Sequence, residues 1–278
     1  MTVSQVLQGR FNTMGLVSGS KYSVLGKRSL VMKTSTKVIL VFVICQILIL
    51  VGSPYGYRSG LFDLMTALGG FAIAFAGGAL CLLAIIGLVI AGMVRKQPLD
   101  KGALVVATVL ALVPVGFVLP QLQTANSVPP IHDITTNPMD PPVFFEIKKR
   151  RVHALNDLVY GDTERSAEDM EALQDEFYPD LETMLTPLTV SESLVQSEAV
   201  LRQMGLEIIN VDPALGVVEA TDTTQWFQFK DDLIVRIRSE GDQTLIDLRS
   251  VSRVGQSDLG VNAERIRRFV QGFKSPSP

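Results

Sequence analysis

His132-Asp133, followed by Ile134 and the hydroxyls of Thr135 and Thr136, is the first stretch of the chain that could move a proton. An imidazole beside a carboxylate suits general acid–base work, but it needs a nucleophile or a held water within reach. No nucleophile stands near it in the sequence, so a hydrogen bond within a loop is the commoner meaning. Ser250, Ser252 and Ser257 supply hydroxyls, yet neither histidine, His132 or His153, lies close in sequence to activate one. Asp231-Asp232 resembles an acid/base pair, but neighbouring residues of a strand point to opposite faces, and the two acids read better as the mark of a turn. There is no G-x-S-x-G, Walker A loop, H-E-x-x-H or dinucleotide fingerprint, so no catalytic residue is assigned. Both cysteines, Cys45 and Cys81, fall in apolar runs, which with two histidines leaves no expected metal set and no expected cofactor.

Binding chemistry is better supplied. Counting face parity along the last strand, Asp247, Arg249, Val251 and Arg253 share one side, and Asn262 and Arg265 follow just past a loop. A guanidinium fork donates two parallel hydrogen bonds and so suits a phosphate. Arg249, Arg253 and Asn262 are therefore a candidate anion site, with a lipid phosphate as the natural ligand. The competing meaning, the ordinary fate of such residues, is that both arginines pair inside the fold with Asp247, Asp258 or Glu264.

The element that must position these groups runs from Lys230 to Phe269. Val235 and Ile237 alternate with Arg236 and Arg238, and Ile246 and Leu248 with Asp247 and Arg249, on either side of Glu240-Gly241-Asp242-Gln243. With Gly241-Asp242 as the two central turn residues, both at positive φ, Ile237 faces Ile246, Val235 faces Leu248 and Arg236 faces Asp247 as a structural pair. Leu259, Ala263, Ile266, Val270 and Phe273 then recur on one helical face, behind a cap at Asp258 or Asn262. Glu264, Arg265, Arg267 and Arg268 fall on the outer face of that helix.

Upstream the composition changes. Of 278 residues, 47% are hydrophobic and the net charge is −3. Residues 1–120 carry ten bases and two acids, while residues 121–278 carry 15 bases against 26 acids, a charge of −11. A basic, apolar front and an acidic back describe a membrane anchor joined to a polar domain, and an acidic domain is not a nucleic-acid binder. Residues 1–37 read as a basic cytoplasmic tail and 38–120 as a three-helix anchor, with spans near Thr36–Gly52, Leu64–Val94 and Gly102–Leu119. Gly52 to Arg58 reads as a loop, 121–142 as a Pro-rich linker and 143–278 as the extracytoplasmic domain. Lys37, Arg95, Lys96 and Lys101 hold their ends inside, which puts the C-terminal domain in the periplasm of a bacterial inner membrane. Gly70, Ala74 and Gly78 mark a close helix contact. No ionisable group sits at mid-depth in any span, which argues against a transporter or channel.

In the acidic half, Ser166 to Tyr178 reads as a helix closed by Pro179. Thr189-Val190-Ser191-Glu192 is a capping box for a helix that stops at Gly205. Leu206–Val211 and Val217–Thr223 read as strands, and Trp226, Phe227 and Phe229 precede the hairpin. The expected fold is α+β, with an antiparallel sheet of about four strands covered by helices after three transmembrane helices. The strings IHDITT, YPDL, VVEATDTTQWFQFKDDLIVRIR and DLRSVSRVGQSDLGVNAERIRRF, in this order, resemble the family known as domain of unknown function 1499 over nearly all of residues 121–273. The resemblance implies a domain often joined to N-terminal membrane spans, and it carries over no reaction and no catalytic residue. The expected function is a binding or assembly module at the membrane surface, with the bilayer, an anionic lipid or an envelope protein as partner. The alternative is a hydrolase-like enzyme of the cell envelope.

Overall fold

A computed structural model describes residues 34–161 and 165–275. Most of the expected basic tail, residues 1–33, lies outside the described residues. Three helices come first: α1 (Thr34–Arg58), α2 (Leu64–Val94) and α3 (Lys101–Ala125). Each is long and apolar enough to cross a membrane.

α1 runs on through Gly52 to Arg58, the stretch expected to be a loop, and carries Pro54 inside it. In an apolar medium every backbone group must find a partner within the segment, which favours continuing the helix past a proline. Ser53 Oγ donates to Ile49 O, and the amides of Ser59, Gly60 and Leu61 close the end onto Tyr55, Tyr57 and Gly56. α3 likewise continues past Pro120 into the expected linker. The glycines of α2 set the helix spacing. A Cβ on Gly70 would fall 1.9 Å from Ser53 Oγ, one on Gly77 2.3 Å from Gln46 Cδ, and one on Gly78 2.7 Å from Pro114 Cγ. The small-residue stripe thus serves packing of α2 against α1 and α3.

The C-terminal domain adds β1 (Asp133–Thr135), α4 (Glu146–Arg150), α5 (Ala167–Phe177), β2 (Met184–Thr186), α6 (Val190–Gln203), β3 (Glu207–Asp212), β4 (Val217–Thr223), β5 (Lys230–Glu240), β6 (Gln243–Ser252) and α7 (Val261–Lys274). Its strands form one antiparallel sheet in the order β1-β6-β5-β4-β3. β2 also pairs with β6, beyond β1 on the same edge. The expected four strands are the four longest of these six. β1 and β2 are three residues each, too short for an alternation of period two to register, and β1 falls inside the expected linker.

The hairpin register is as the alternation requires: Ile237 faces Ile246, Val235 faces Leu248 and Arg236 faces Asp247. In the turn only Gly241 takes positive φ, at 59°, and Asp242 does not. A two-residue turn with glycine alone left-handed at its first central position suits the twist of the strands.

Both faces of the sheet are covered. Val218, Ala220, Leu233, Val235, Ile237, Ile246 and Leu248 pack with Leu194 and Leu201 of α6 and Ile266 and Phe269 of α7. On the other face Val217, Ile234 and Val251 pack under Phe144 and Ile147. The capping boxes at Ser166 and Thr189 are both closed. α7 differs from expectation at its start: Gly260, at φ 80°, is the N-cap, and Asp258 instead accepts from the amides of Gly260 and Asn262. Arg265, expected on the outer face, is 2% exposed.

Candidate functional site at the bundle-facing end of the sheet

β4 and β5 are joined by a loop whose aromatic rings rest on the three long helices. Phe227 lies 5.8 Å from Tyr57 and 5.4 Å from Phe71, ring centre to ring centre. Phe229 meets Tyr57 edge-on at 5.4 Å, and Trp226 meets Phe117 at 4.9 Å. The loop therefore touches α1, α2 and α3 together. About 20 residues of helix cross a hydrocarbon core of ~30 Å. α2 has 31, so counted from its Val94 end the turn around Phe71 lies near the opposite face of such a core. Aromatic rings are most stable at that depth, half apolar and half wet.

This contact fixes which end of the sheet adjoins the bundle. The end carries Thr223 and Lys230, which pair with each other, and Ser252, which pairs with Asp231. Beyond Ser252, the Arg253 amide donates to Lys230 O, and the amides of Leu155 and Asn156 donate to Arg253 O. Asn156 Nδ2 donates to Ser252 O and Gly255 O. The segment 151–161 is so tied across the end of the sheet, and between it and the start of β1 lies a cleft of about 410 Å³. His132, Asp133, Asn156 and Asp157 supply its polar lining; Leu155, Val159 and Met170 its apolar lining.

Buried ion pairs frame the cleft. Asp133 accepts from Arg249 Nε at 3.0 Å and Nη2 at 2.6 Å, and Arg249 also donates to the carbonyls of Pro142 and Leu158. The rings of Phe144 and Tyr160 lie against the same guanidinium. Burial, first of all, raises the Tyr160 phenol above its usual pKa, and its oxygen accepts from Gln174 Nε2. Asp232 is held by Arg253 through Nε and Nη2 and also accepts from Arg151 Nη1 and Thr221 Oγ1. Burial lowers the pKa of Arg151, and Asp232 opposes that shift.

The three residues of the candidate anion site fall into three separate networks. Arg249 is turned to Asp133 and Arg253 to Asp232, with internal acceptors in place of an outside anion. Asn262 is fully buried: its Oδ1 accepts from Ser250 Oγ and Arg265 Nη1, and its Nδ2 donates to His132 O and Ser252 Oγ. The expected internal partners, Asp247, Asp258 and Glu264, are not those of Arg249 and Arg253; Asp133 of β1 and Asp232 of β5 take their place. The Arg236–Asp247 pair does form, at 2.7 Å, and Asp247, fully buried, also takes Arg238 and Thr183.

Asp231 and Asp232, expected at a turn, lie within β5. The expectation that their side chains part to opposite faces holds, since Asp231 pairs with Arg265. Both oxygens of Asp133 accept from Arg249, so the carboxylate next to His132 serves a buried ion pair. Among the described residues no group of three or more His, Cys, Asp and Glu is arranged to hold a metal ion.

Residues 133–273 match the model of a family described as Protein of unknown function (DUF1499). No curated protein matches the chain.

Proposed function

The chain belongs to the family of unknown function known as domain of unknown function 1499, and from that premise we propose that it is a membrane-anchored binding module whose C-terminal domain takes a small ligand in the cleft beside His132. The observation that supports this reading is the cleft itself: about 410 Å³, mixed polar and apolar in lining, at the end of the sheet next to the bundle. Small-molecule sites are commonly concavities of ~300–1,000 Å³ with a few fixed polar groups in an apolar wall. Asn156, pinned by two carbonyls, is such a fixed group. The buried ion pairs beneath act as scaffold and keep the segment 151–161 in place. Lys37, Arg95, Lys96 and Lys101 lie at the far ends of the helices, which supports a cytoplasmic N-terminus and a domain on the outer, periplasmic side of an inner membrane.

Native mass spectrometry of the full chain released from detergent tests the reading. The parent is expected to carry a small molecule of defined mass that is lost in His132→Trp, where an indole fills the cleft. Retention of the same molecule by the variant, or a parent that carries none after gentle extraction, would overturn it.

A further inference from the structure

Three apolar side chains on the segment tied across the end of the sheet are largely exposed, two of them, Leu155 and Val159, at the rim of the cleft. Val152, Leu155 and Val159 are 79%, 76% and 69% exposed. Their backbone is held in place. Arg151 is turned inward to Asp232 and to Asn156 O, Leu158 packs against the Phe144 and Ile147 cluster, and Leu155 and Asn156 bond Arg253 O. The domain therefore presents these three side chains outward from an anchored loop.

The loop is close to the bundle by a short chain of contacts. Leu155 bonds Arg253, Arg253 bonds Lys230, and the neighbour of Lys230 is Phe229, whose ring meets Tyr57 on α1. Just before the loop stand Lys148, Lys149 and Arg150, all exposed. Lys149 shares its charge with Glu146, and Arg150 lies 3.9 Å from Glu207. Lys148 joins no salt bridge among the described residues. In a half of the chain with 26 acids against 15 bases, this run is a local reversal of charge. Asp157 is the acid within the loop, and its Oδ1 accepts from the Val159 amide.

We propose that residues 148–159 are a second membrane contact, in which Val152, Leu155 and Val159 enter the headgroup region of the bilayer that α1–α3 cross, and Lys148, Lys149 and Arg150 meet the phosphates of anionic lipids. Apolar side chains flanked by cations are what an interface of hydrocarbon and phosphate rewards. The occupant is the bilayer because the covalent anchor and the ring contacts already hold this end of the domain against it, and the basic run complements its charge. The contact goes beyond the ligand reading, and because Leu155 and Val159 also line the cleft, it places the mouth of that cleft at the membrane surface.

The test uses the full chain in lipid nanodiscs. Trp226 is the only tryptophan, so Trp226→Phe clears the background, and Leu155→Trp or Val159→Trp, made separately, places a probe on the loop. With lipids brominated near the headgroup, each probe is expected to lose most of its emission. The loss should be larger in discs containing anionic lipid than in wholly zwitterionic ones, and should shrink when Lys148→Glu and Lys149→Glu are added. Water-like, unquenched emission from both probes, in proteins that melt like the parent, would overturn the contact. Quenching indifferent both to lipid charge and to the lysine changes would overturn the assignment of the basic run to phosphates.

Discussion

Asp231 and Asp232 are neighbours in β5, yet they lie on opposite faces of the sheet, Asp231 clamped by Arg265 and Asp232 by Arg151 and Arg253. Asp231 faces α7 and takes Arg265 at 2.7 Å, while Asp232 faces the 137–158 cover and joins Arg151 to Arg253. One dipeptide thus ties both covering layers to the central strand. The two are not equivalent in cost. Removing Asp232 leaves two guanidiniums without their carboxylate, one of them 5% exposed, and breaking a buried pair in this way costs about 3–5 kcal/mol. Removing Asp231 leaves Arg265 still paired with Asp222 and bonded to Ser250 and Asn262. Thermal melts of Asp232→Ala and Asp231→Ala are expected to show the larger loss for Asp232. The reverse order would mean that the α7 side bears the greater burden.

Glu219 supports the second cover in a different way. Fully buried in β4, its carboxylate accepts from the amides of Phe145, Glu146 and Ile147 and from Asn210 Nδ2. It does from across the sheet what a capping side chain does for a helix, since α4 has no side-chain cap of its own. Glu219→Ala strands those amides in a dry site, at ~1–3 kcal/mol for each group left without a partner. Glu219→Gln keeps an acceptor and should cost less. Amide exchange at Phe145, Glu146 and Ile147 is the measurement: fast in the alanine variant, slower in the glutamine variant. Equal protection in parent and alanine variant would show that the carboxylate does not hold α4.

The long-range half of these networks was not legible in the sequence. The hairpin, the Thr189 capping box and the α2 span follow from local periods and local bonds, so Ile237 opposite Ile246 could be placed by counting. Asp133 and Arg249 are 116 residues apart, and Glu219 and Phe145 are 74 apart. No spacing rule links them. The Pro-rich run at 121–142 hid β1 because composition reports the tendency of a segment and not the edge it will meet. Arg265 is buried against the expectation from apolar spacing because the inward stripe of α7 is wider than its apolar residues. Asn262 and Arg265 extend it, drawn in by Ser250 and Asp231. The aromatic cluster at 226–229 was visible as bulk, but its partners Tyr57, Phe71 and Phe117 belong to helices more than a hundred residues upstream.

Asp258 gives the domain a pH dependence of definite sign. Burial is the largest influence on it and raises its pKa above the ordinary 3.8; Asp231 adds to the rise, while the amides of Asn262 and Gly260 and then Arg265 oppose it. The folded state therefore holds the proton more tightly than the unfolded chain. Stability from this group is present below the unfolded pKa and is lost as pH climbs through the folded one. Asp258→Asn removes the titration, so its stability relative to the parent should grow from pH ~4 toward neutrality and then level off. Asp180, lowered chiefly by its bond to Arg267, slopes the opposite way and is unchanged in this comparison. A difference between variant and parent that is flat over that range would show that the Asp258 carboxylate titrates alike in both states.

The aromatic seat makes the most exposed prediction, because the protein carries its own reporter. Trp226 lies 4.9 Å from Phe117, while Phe227 stacks on Phe229 at 4.8 Å and reaches Tyr57 and Phe71. Pairs of this kind contribute ~0.5–1.5 kcal/mol each beyond the area they cover, so no single ring should hold the loop alone. Phe117→Ala uncovers one side of the indole and should shift its emission to the red and open it to a soluble quencher, with little effect on melting. Phe71→Ala acts directly on Phe227 and, through Phe117 5.8 Å away, only indirectly on Trp226, so it should shift the spectrum less than Phe117→Ala does. Phe71→Ala with Tyr57→Ala removes both partners of Phe227 on the bundle and should free the loop, seen as faster tryptic cleavage after Lys230 together with a red shift from Trp226. If Phe117→Ala leaves the spectrum as it was, or the double variant resists trypsin like the parent, the loop is held by the sheet alone and the rings do not seat the domain on the bundle.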